Sequence, residues 1–129
     1  MAILLDSTVL IDALCGREAA ERIRALHRVD DTPYVCAINV EEVVRGLRAG
    51  EGVPALRLLG AMRLAPLGLE EGVRAGTWRQ RYGRRGRTLT QADCLIAAAA
   101  VSVGGRLATG NPKHFPMPEL EVEHWPVGT

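Results

Sequence analysis

The chain has 129 residues, of which 16 are lysine or arginine and 15 are aspartate or glutamate, so its formal net charge is +1. This length predicts a single domain over residues 1–129 and excludes two domains of ordinary size. A charge near zero excludes a uniformly basic nucleic-acid-binding domain, although it leaves room for a local basic patch.

Short apolar runs alternate with helical patterns along the whole chain. In order, the patterns predict a strand over residues 2–5, helices over 7–14 and 18–29, a strand over 34–37, helices over 40–49 and 55–62, a strand over 63–67, helices over 69–82 and 92–103, and strands over 106–109 and 120–125. Asn39 and Thr90 are the predicted N-caps of the third and sixth helices. We expect Asp12 at the surface and a frayed tail over 126–129. This alternation is typical of an α/β domain with a central parallel sheet of about five strands flanked by helices.

The chain shows no targeting or membrane segment. The N-terminus has no basic region of the kind that begins a signal peptide, and Asp6 interrupts its apolar run. No apolar stretch is long enough to span a membrane. We therefore expect a soluble, cytoplasmic protein without membrane contact.

Three acids and one amide lie near the carboxyl ends of predicted strands. Asp6 directly follows the first strand, Asn111 follows a later one, Glu42 lies in the helix after the second strand, and Asp93 lies in the first turn of the Ala-rich helix. Ligand sites of parallel sheets lie beyond these strand ends, so we expect the four residues at one edge. Taken singly, Asp6 could cap a helix, Asp93 could form a capping box with Thr90, and Glu42 could be a solvated helix residue.

Such a cluster has a chemical use. Mg²⁺ and Mn²⁺ prefer oxygen ligands, and converging carboxylates repel one another until a divalent cation binds among them. A bound cation polarises a phosphoryl oxygen and lowers the pKa of an attacking water. The sequence has no evident Ser-His-Asp set, catalytic cysteine or glycine-rich phosphate loop. The cluster therefore favours metal-dependent phosphodiester hydrolysis without a covalent protein intermediate.

Four sequence segments carry a resemblance to a known family. In order they are LLDSTVLIDAL, VEEVVRG, ADCLIAAAA and LATGNPKHF. Over essentially the whole chain, this set resembles the PIN-domain ribonucleases of the VapC toxin type. The resemblance assigns the family's acids to Asp6, Glu42 and Asp93. It selects Glu42 rather than Glu41, because the family's glutamate stands four residues before a glycine, which here is Gly46.

The last of these segments departs from the family pattern. Family members often carry a fourth acid at one of two positions, which this chain fills with Asn111 and His114. An asparagine carbonyl can still bind a metal or its water, but it brings no charge. The site would then hold three carboxylates, which leaves open whether it binds one metal ion or two. His114 could contact phosphate or donate a proton, or it could be an ordinary loop residue.

Six arginines fall within fourteen residues, with no acid between the first and the last. They are Arg74, Arg79, Arg81, Arg84, Arg85 and Arg87. The rest of the chain holds ten basic and fifteen acidic residues, so the near-neutral total conceals a basic segment. Arginine binds phosphate and stacks on bases, which predicts RNA contacts from Arg81, Arg84, Arg85 and Arg87, together with His114. The alternative is a solvated face or a protein-binding patch, with the neighbouring Trp78 in the core.

These observations predict a metal-dependent endoribonuclease, and the resemblance implies that it is the toxin of a toxin–antitoxin pair. Asp6, Glu42 and Asp93 would hold Mg²⁺ or Mn²⁺, and Asn111 would complete the catalytic set. The resemblance also implies a homodimer, a VapB-type antitoxin that blocks the site, and DNA contact only through that antitoxin. It implies transfer RNA or ribosomal RNA as the substrate class.

Two alternatives stay open at this point. The first is a catalytically weak or inactive module of the same fold that binds RNA or a protein partner. The second is a phosphohydrolase with Asp6 as nucleophile, which ranks last. Such an enzyme normally has a second acid two residues after the nucleophile, where this chain has Thr8.

Overall fold

The computed structural model describes residues 1–128, which form a central sheet with helices on both faces. The strands are β1 (Ala2–Leu5), β2 (Thr32–Val35), β3 (Arg63–Leu64), β4 (Arg106–Thr109) and β5 (Val122–His124). The helices are α1 (Ser7–Leu14), α2 (Glu18–Ala25), α3 (Ala37–Arg45), α4 (Gly52–Gly60), α5 (Leu69–Gly83) and α6 (Gln91–Ser102), with short 3-10 helices at Leu26–Val29 and Pro112–His114. Within these residues, no helix combines the length and the apolar character needed to cross a membrane.

The five strands form one parallel sheet in the order β3-β2-β1-β4-β5. Leu4 of β1 pairs with Tyr34 on one side and with Leu107 on the other. From β1, the strands β2 and β3 follow on one side of the sheet, and β4 and β5 follow on the other. The order of the strands therefore changes direction between β1 and β4, whose carboxyl ends lie side by side. That reversal is where open parallel sheets bind ligands. The predicted fold class, an α/β domain with about five parallel strands, is confirmed.

The central strand is buried on both faces because its side chains alternate between two groups of helices. Leu4 packs on one face with Trp78 and the helices α5 and α6. Ile3 and Leu5 pack on the other face with residues of α1 to α4. All four alanines over 97–100 are fully buried, and such small side chains let α6 lie close to the sheet. This packing carries the first turn of α6 to the carboxyl edge of the sheet.

Strand β2 begins two residues earlier than the sequence pattern predicts. It covers Thr32–Val35, so Pro33 lies within the strand. Pro33 pairs with Ile3 of β1, whereas the pairing with β3 begins only at Tyr34. A proline near the start of a strand leaves most of its hydrogen-bond ladder intact, and for that reason the predicted start of the strand at residue 34 is wrong.

Helix α3 also begins earlier, with Cys36 rather than Asn39 as its N-cap residue. Asn39 lies inside the first turn and is fully buried. Its side-chain oxygen accepts a 2.9 Å hydrogen bond from the backbone N–H of Cys36. An asparagine can therefore satisfy the start of a helix from within its first turn. The helix ends at Arg45, with Gly46 as its C-cap, instead of continuing to residue 49.

The predictions of a surface position for Asp12 and of a frayed tail are wrong for the described residues. Asp12 is only 3% exposed. Its carboxylate accepts hydrogen bonds from the backbone N–H of Ala19 (3.3 Å) and of Gly128 (3.1 Å). The chain after β5 is thus attached to α1. The last residue of the predicted tail, Thr129, lies outside the described residues.

Candidate active site

Four residues proposed from the sequence lie at or near the carboxyl edge of the sheet. Asp6 ends β1 and caps α1, Glu42 lies on α3, Asp93 lies in the first turn of α6, and Asn111 follows β4. Burial is the main cause that raises the pKa of Asp6 and of Asp93. Beyond burial, the charge of Asp93 raises the pKa of Asp6, and the charge of Glu42 raises that of Asp93. The three acids are therefore close enough to repel one another.

Asp6 is a buried carboxylate held by three hydrogen-bond donors. One oxygen accepts from the backbone N–H of Ser7 at 2.9 Å, which caps α1. The other accepts from the hydroxyl of Thr109 at 2.6 Å and from that of Thr8 at 3.3 Å. Burial raises the pKa of Asp6, and these hydrogen bonds offset part of the rise because they favour the charged form. Asp6 is therefore both the N-cap of α1 and one of the acids proposed for the site.

Glu42 is oriented by a buried polar chain that begins at Asn39. The amide nitrogen of Asn39 donates to the hydroxyl oxygen of Ser7 at 3.3 Å. The Ser7 hydroxyl in turn donates to Oε1 of Glu42 at 2.7 Å. Glu41, the neighbouring acid, is 59% exposed and pairs with Arg45 at 3.4 Å. Of the two adjacent glutamates, Glu42 is therefore the one that faces the first strand–helix junction.

Asp93 lies in the N-terminal turn of α6, where the hydroxyl of Thr90 accepts a 3.1 Å hydrogen bond from its backbone N–H. Burial raises the pKa of Asp93, whereas a hydrogen bond from Thr90 and the nearby His114 lower it in part. The Nδ1 atom of His114 lies 3.6 Å from Oδ2 of Asp93. The predicted N-cap Thr90 is confirmed, and the loop after β4 brings His114 to the acids.

The loop after β4 is tied to both sides of the site by backbone contacts. The backbone N–H of Asn111 donates to the hydroxyl of Thr109 at 3.0 Å, and its carbonyl accepts from the N–H of His114 at 3.0 Å. Arg87 donates to the carbonyl of Lys113 in the same loop at 2.6 Å. Asn111 itself is exposed. Its position at the sheet edge is fixed through its backbone.

The donor set fits a hard divalent cation in its chemistry. Three carboxylates converge, two of them carry a raised pKa, and part of each rise comes from another acid. A divalent cation would relieve that repulsion, and Mg²⁺ and Mn²⁺ prefer such oxygen ligands. Over residues 1–128, no three acidic, histidine or cysteine side chains already stand in an arrangement that could hold an ion. A cation bound by all three acids would require their side chains to move.

The arginines of the basic segment have different partners. Arg81 pairs with Glu119 at 3.1 Å, and Arg87 is bonded to the loop after β4. Arg85 lies over the ring of Tyr82, 5.7 Å from its centroid. A groove of about 340 Å³ lies on the C-terminal half of α5. It is lined by Thr77, Gln80, Arg81, Arg84 and Arg85.

The aromatic residues of the same segment belong to the core. Trp78 is 1% exposed and donates from Nε1 to Glu119 at 2.8 Å. Tyr82 is also buried and donates its hydroxyl to the carbonyl of Pro116 at 3.0 Å. Neither ring is free to stack on a base. An interface for nucleic acid here would depend on the arginines.

Sequence reasoning did not assign roles to four residues that contact the site or its supports. Ser7, Thr8 and Thr109 hydrogen-bond to the acids. Arg79 donates from Nε to the carbonyl of Leu89, just before the N-cap of α6. Ser7 and Thr8 lie within the first quoted segment and Thr109 within the last, which could have identified them as candidates. No sequence signal distinguishes Arg79 from the five other arginines, because its contact depends on how α5 packs on α6.

Two comparisons of the sequence with known proteins agree with each other. The family described as PIN domain matches residues 3–117 of this chain. The chain is also similar to Ribonuclease VapC10 of Mycobacterium tuberculosis. The two are 37% identical over 115 residues, which cover 89% of this chain and 86% of that protein.

Comparisons of structure agree with the sequence result. The fold is similar to that of VapBC2 from Rickettsia felis, solved with a DNA fragment from its promoter. The TM-score is 0.82 at 20% identity, with 97% of this chain and 99% of the other covered. A chain of a toxin-antitoxin complex from Klebsiella pneumoniae gives a TM-score of 0.73 at 25% identity, with 92% and 94% covered.

Proposed function

The chain belongs to the PIN-domain family, and from that premise we propose that it is the ribonuclease toxin of a toxin–antitoxin pair. It acts as a single domain over residues 1–129 and cleaves RNA internally with the help of Mg²⁺ or Mn²⁺. The observation that carries this proposal is that Asp6, Glu42 and Asp93 converge at the carboxyl edge of the sheet. Their negative charges repel one another there: Asp93 raises the pKa of Asp6, and Glu42 raises the pKa of Asp93. Similarity to a ribonuclease supports the same reaction class.

In this proposal the acids Asp6, Glu42 and Asp93 hold the cation, and Asn111 offers a neutral oxygen beside them. When bound, the cation supplies positive charge where negative charge develops on the phosphate, and it activates water for attack. The hydroxyl of Thr109 keeps the Asp6 carboxylate oriented. With three charged ligands instead of four, we propose one cation. The nearby His114 contacts a phosphate or donates a proton to the leaving oxygen.

The RNA contacts lie on the basic face of α5. Arg84 and Arg85 line a groove that no acid lines, which supports phosphate binding there. Arg81 already pairs with Glu119, and Arg87 already donates to the carbonyl of Lys113. To bind RNA, each would have to contact it in addition to that partner or instead of it. The substrate class we propose is transfer RNA or ribosomal RNA. A toxin acting on these RNAs works in the cytoplasm.

The proposed partner is an antitoxin of the VapB type, through which alone the pair contacts DNA. Complexes of two protein types among the structural relatives support this proposal. A groove of about 280 Å³ between α1 and α3 offers apolar contact through Ile11, Leu14 and Val43, and Ile11 is 46% exposed. A homodimer is part of the same proposal. Exposed apolar side chains on α4, Val53 at 62% and Leu56 at 64%, support self-association.

A catalytically weak module that binds RNA or protein is the second candidate. Two points favour it. The resemblance implies that the neutral Asn111 stands where the family often has an acid, and no three ligands in residues 1–128 are yet arranged to hold an ion. Such a module would bind RNA through α5 and leave it intact.

One experiment separates these two candidates. Purified protein and its Asp93→Asn variant are incubated with transfer and ribosomal RNA in Mg²⁺, in Mn²⁺ and in chelator. We expect metal-dependent cleavage that the variant loses. Equal cleavage by both proteins would point to a contaminant or to a different site. No cleavage by either folded protein would favour the binding module.

A further inference from the structure

The segment over residues 125–128 passes close to the candidate site and is attached at one end to a residue of that site and at the other end to α1. The backbone N–H of Trp125 donates at 2.9 Å to the carbonyl of Thr109, the residue whose hydroxyl binds Asp6. Three residues later, the N–H of Gly128 donates to Oδ1 of Asp12 at 3.1 Å. The 125–128 segment therefore bridges the end of β4 and helix α1.

Val127 of this segment packs against Gly110 in the turn after β4. A methyl group placed on Gly110 would lie 2.7 Å from Cγ2 of Val127 and 3.2 Å from its Cγ1. Carbon atoms in ordinary contact are 3.5–4.0 Å apart, so no side chain fits at position 110 while Val127 stays in place. The close approach between Gly110 and Val127 is therefore a specific steric match.

Gly110 is in turn linked to Asp6 through a single hydroxyl. Its backbone N–H donates to Oγ1 of Thr8 at 3.0 Å, and the same hydroxyl donates to Oδ2 of Asp6 at 3.3 Å. The neighbouring hydroxyl of Thr109 donates to the same carboxylate oxygen at 2.6 Å. A shift of the turn would therefore disturb two of the three donors to Asp6.

The other end of the segment is fixed to a buried acid. Asp12 lies on α1, the helix that Asp6 caps, and it is 3% exposed. It accepts from the N–H groups of Ala19 and Gly128, and Arg17 lies 3.8 Å away. A buried carboxylate with these partners is a firm anchor, because losing one of them leaves a buried charge poorly satisfied.

We propose that Val127 is a positioning residue for Asp6. By packing on Gly110 it holds the 109–111 turn at the distance from which Thr8 and Thr109 donate to the Asp6 carboxylate. The metal-binding consequence of this role rests on the proposed function, whereas the contact between the segment and the turn does not. Asp12 keeps the segment in register.

The test is a cycle of Gly110→Ala, Val127→Ala and the double variant in the full chain, with Val29→Ala as the control. Val29 is 65% exposed at the end of the first 3-10 helix, and Val29→Ala makes the same change of side chain away from the site. Mn²⁺ affinity is measured by calorimetry, exchange of the Gly110 amide hydrogen by NMR, and thermal stability in chelator. The exchange reports on the hydrogen bond to Thr8 whether or not Mn²⁺ binds.

We expect Gly110→Ala to weaken Mn²⁺ binding roughly tenfold, which is about 1.4 kcal/mol, and to speed exchange of the residue-110 amide. Val127→Ala alone should have a smaller effect of the same sign. The double variant should bind no more weakly than Val127→Ala, because the steric conflict is gone. Additive losses in the double variant, or unchanged exchange in every folded variant, would overturn the proposal.

A second pair of variants keeps the test decisive if Gly110→Ala fails to fold. Thr8→Val removes the hydroxyl that links Gly110 to Asp6, and Thr8→Ser retains it. Val127→Ala should have a smaller effect on Mn²⁺ affinity in the Thr8→Val background, where only the Thr109 hydroxyl still depends on the turn, but should keep its full effect beside Thr8→Ser. An equal effect in both backgrounds would contradict the positioning role. If the wild-type chain binds no Mn²⁺, the proposed function fails, and the amide exchange alone decides this proposal.

Discussion

The hydroxyl of Ser7 donates a 2.7 Å hydrogen bond to Oε1 of Glu42, a residue thirty-five positions further along the chain. Ser7 is the first residue of α1 and directly follows Asp6, whose side chain accepts from the Ser7 backbone N–H. One residue therefore contacts two of the candidate acids, with its N–H on one and its hydroxyl on the other. The direction of the Glu42 carboxylate depends on the junction between β1 and α1.

The two adjacent glutamates give a matched test of the metal site. Glu42→Gln should lose most of the Mn²⁺-dependent stabilisation, because a carboxylate ligand becomes a neutral amide. In the wild-type chain that stabilisation should be about 2.7 kcal/mol when Mn²⁺ is at a hundred times its Kd. Glu41→Gln removes the same charge from an exposed position and should leave the stabilisation intact. Thermal unfolding with and without Mn²⁺ measures both, and the reverse ranking would contradict the assignment.

The Ser7 hydroxyl can be tested separately from the charge of Glu42. Ser7→Ala removes the donor to Glu42 and the acceptor for Asn39, so a buried amide loses a partner. We expect a loss in stability of about 1–3 kcal/mol and weaker Mn²⁺ binding. Ser7→Thr keeps the hydroxyl and should recover most of the Mn²⁺ affinity in calorimetry. If Ser7→Ala binds Mn²⁺ as the wild type does, the hydroxyl does not orient Glu42.

The sequence predicts which strands and helices carry the acids, but not the side chains that surround them, for physical reasons. The strand over residues 2–5 and the cap at Asp6 are local features, set by an apolar run and an acid at its end. Asn39 has the local pattern of an N-cap, yet it is buried because Ser7 and Cys36 offer it partners. The burial of Asp12 depends on Gly128, which is over a hundred residues away. Contacts between residues so far apart leave no periodic pattern in the sequence.

The raised pKa values predict opposite effects of pH on the metal-free chain and on metal binding. Burial raises the pKa of Asp6 and of Asp93, so the folded state takes up protons at a higher pH than the unfolded state. As the pH falls through these raised pKa values, protonation of Asp6 and Asp93 increases the free energy of unfolding. The increase stops once the pH reaches the pKa that these groups have in the unfolded state. Protons also compete with Mn²⁺ for the same carboxylates, so Mn²⁺ affinity should fall over the same range.

Asp93→Asn is the variant that isolates this effect. In chelator it should be more stable than the wild type at pH values above the raised pKa of Asp93, and the difference should shrink as the pH falls through that pKa toward the ordinary value of 3.8. Glu71 and Glu119 have lowered pKa values, so the stability that their charged forms give the folded state is lost only at more acidic pH, as the pH falls through those values. Urea unfolding across this range measures the difference. A gap that widens toward acid pH would contradict the raised pKa of Asp93.

Trp78 should be required for stability and dispensable for RNA binding. Trp78→Phe keeps most of the buried ring but removes the hydrogen bond from Nε1 to Glu119. Because that bond has a charged acceptor, its loss should cost about 1.5–3 kcal/mol in the free energy of unfolding. The RNA dissociation constant of the folded variant should be unchanged, because the ring is 1% exposed. Weaker RNA binding at full stability would mean that the ring reaches the RNA.

Arg84 and Arg85 should account for a measurable part of the salt dependence of RNA binding. They line the groove on α5, and neither has an ion-pair partner among residues 1–128. Each phosphate contact on a single strand contributes about 0.7 to the slope of log K against log salt, so the double change to alanine should reduce the slope by about 1.4. Filter binding of a labelled RNA over a salt series gives that slope.

The control for this pair carries the same change in charge on another surface. Arg24 and Arg28 both pair with Glu21 at the exposed face of α2. Changing both to alanine removes two positive charges from the chain but none from the α5 groove. If RNA follows the groove, this variant should keep the wild-type slope while Arg84→Ala with Arg85→Ala lowers it. An equal reduction in both variants would show that RNA responds to net charge alone, and the groove would then have no specific role.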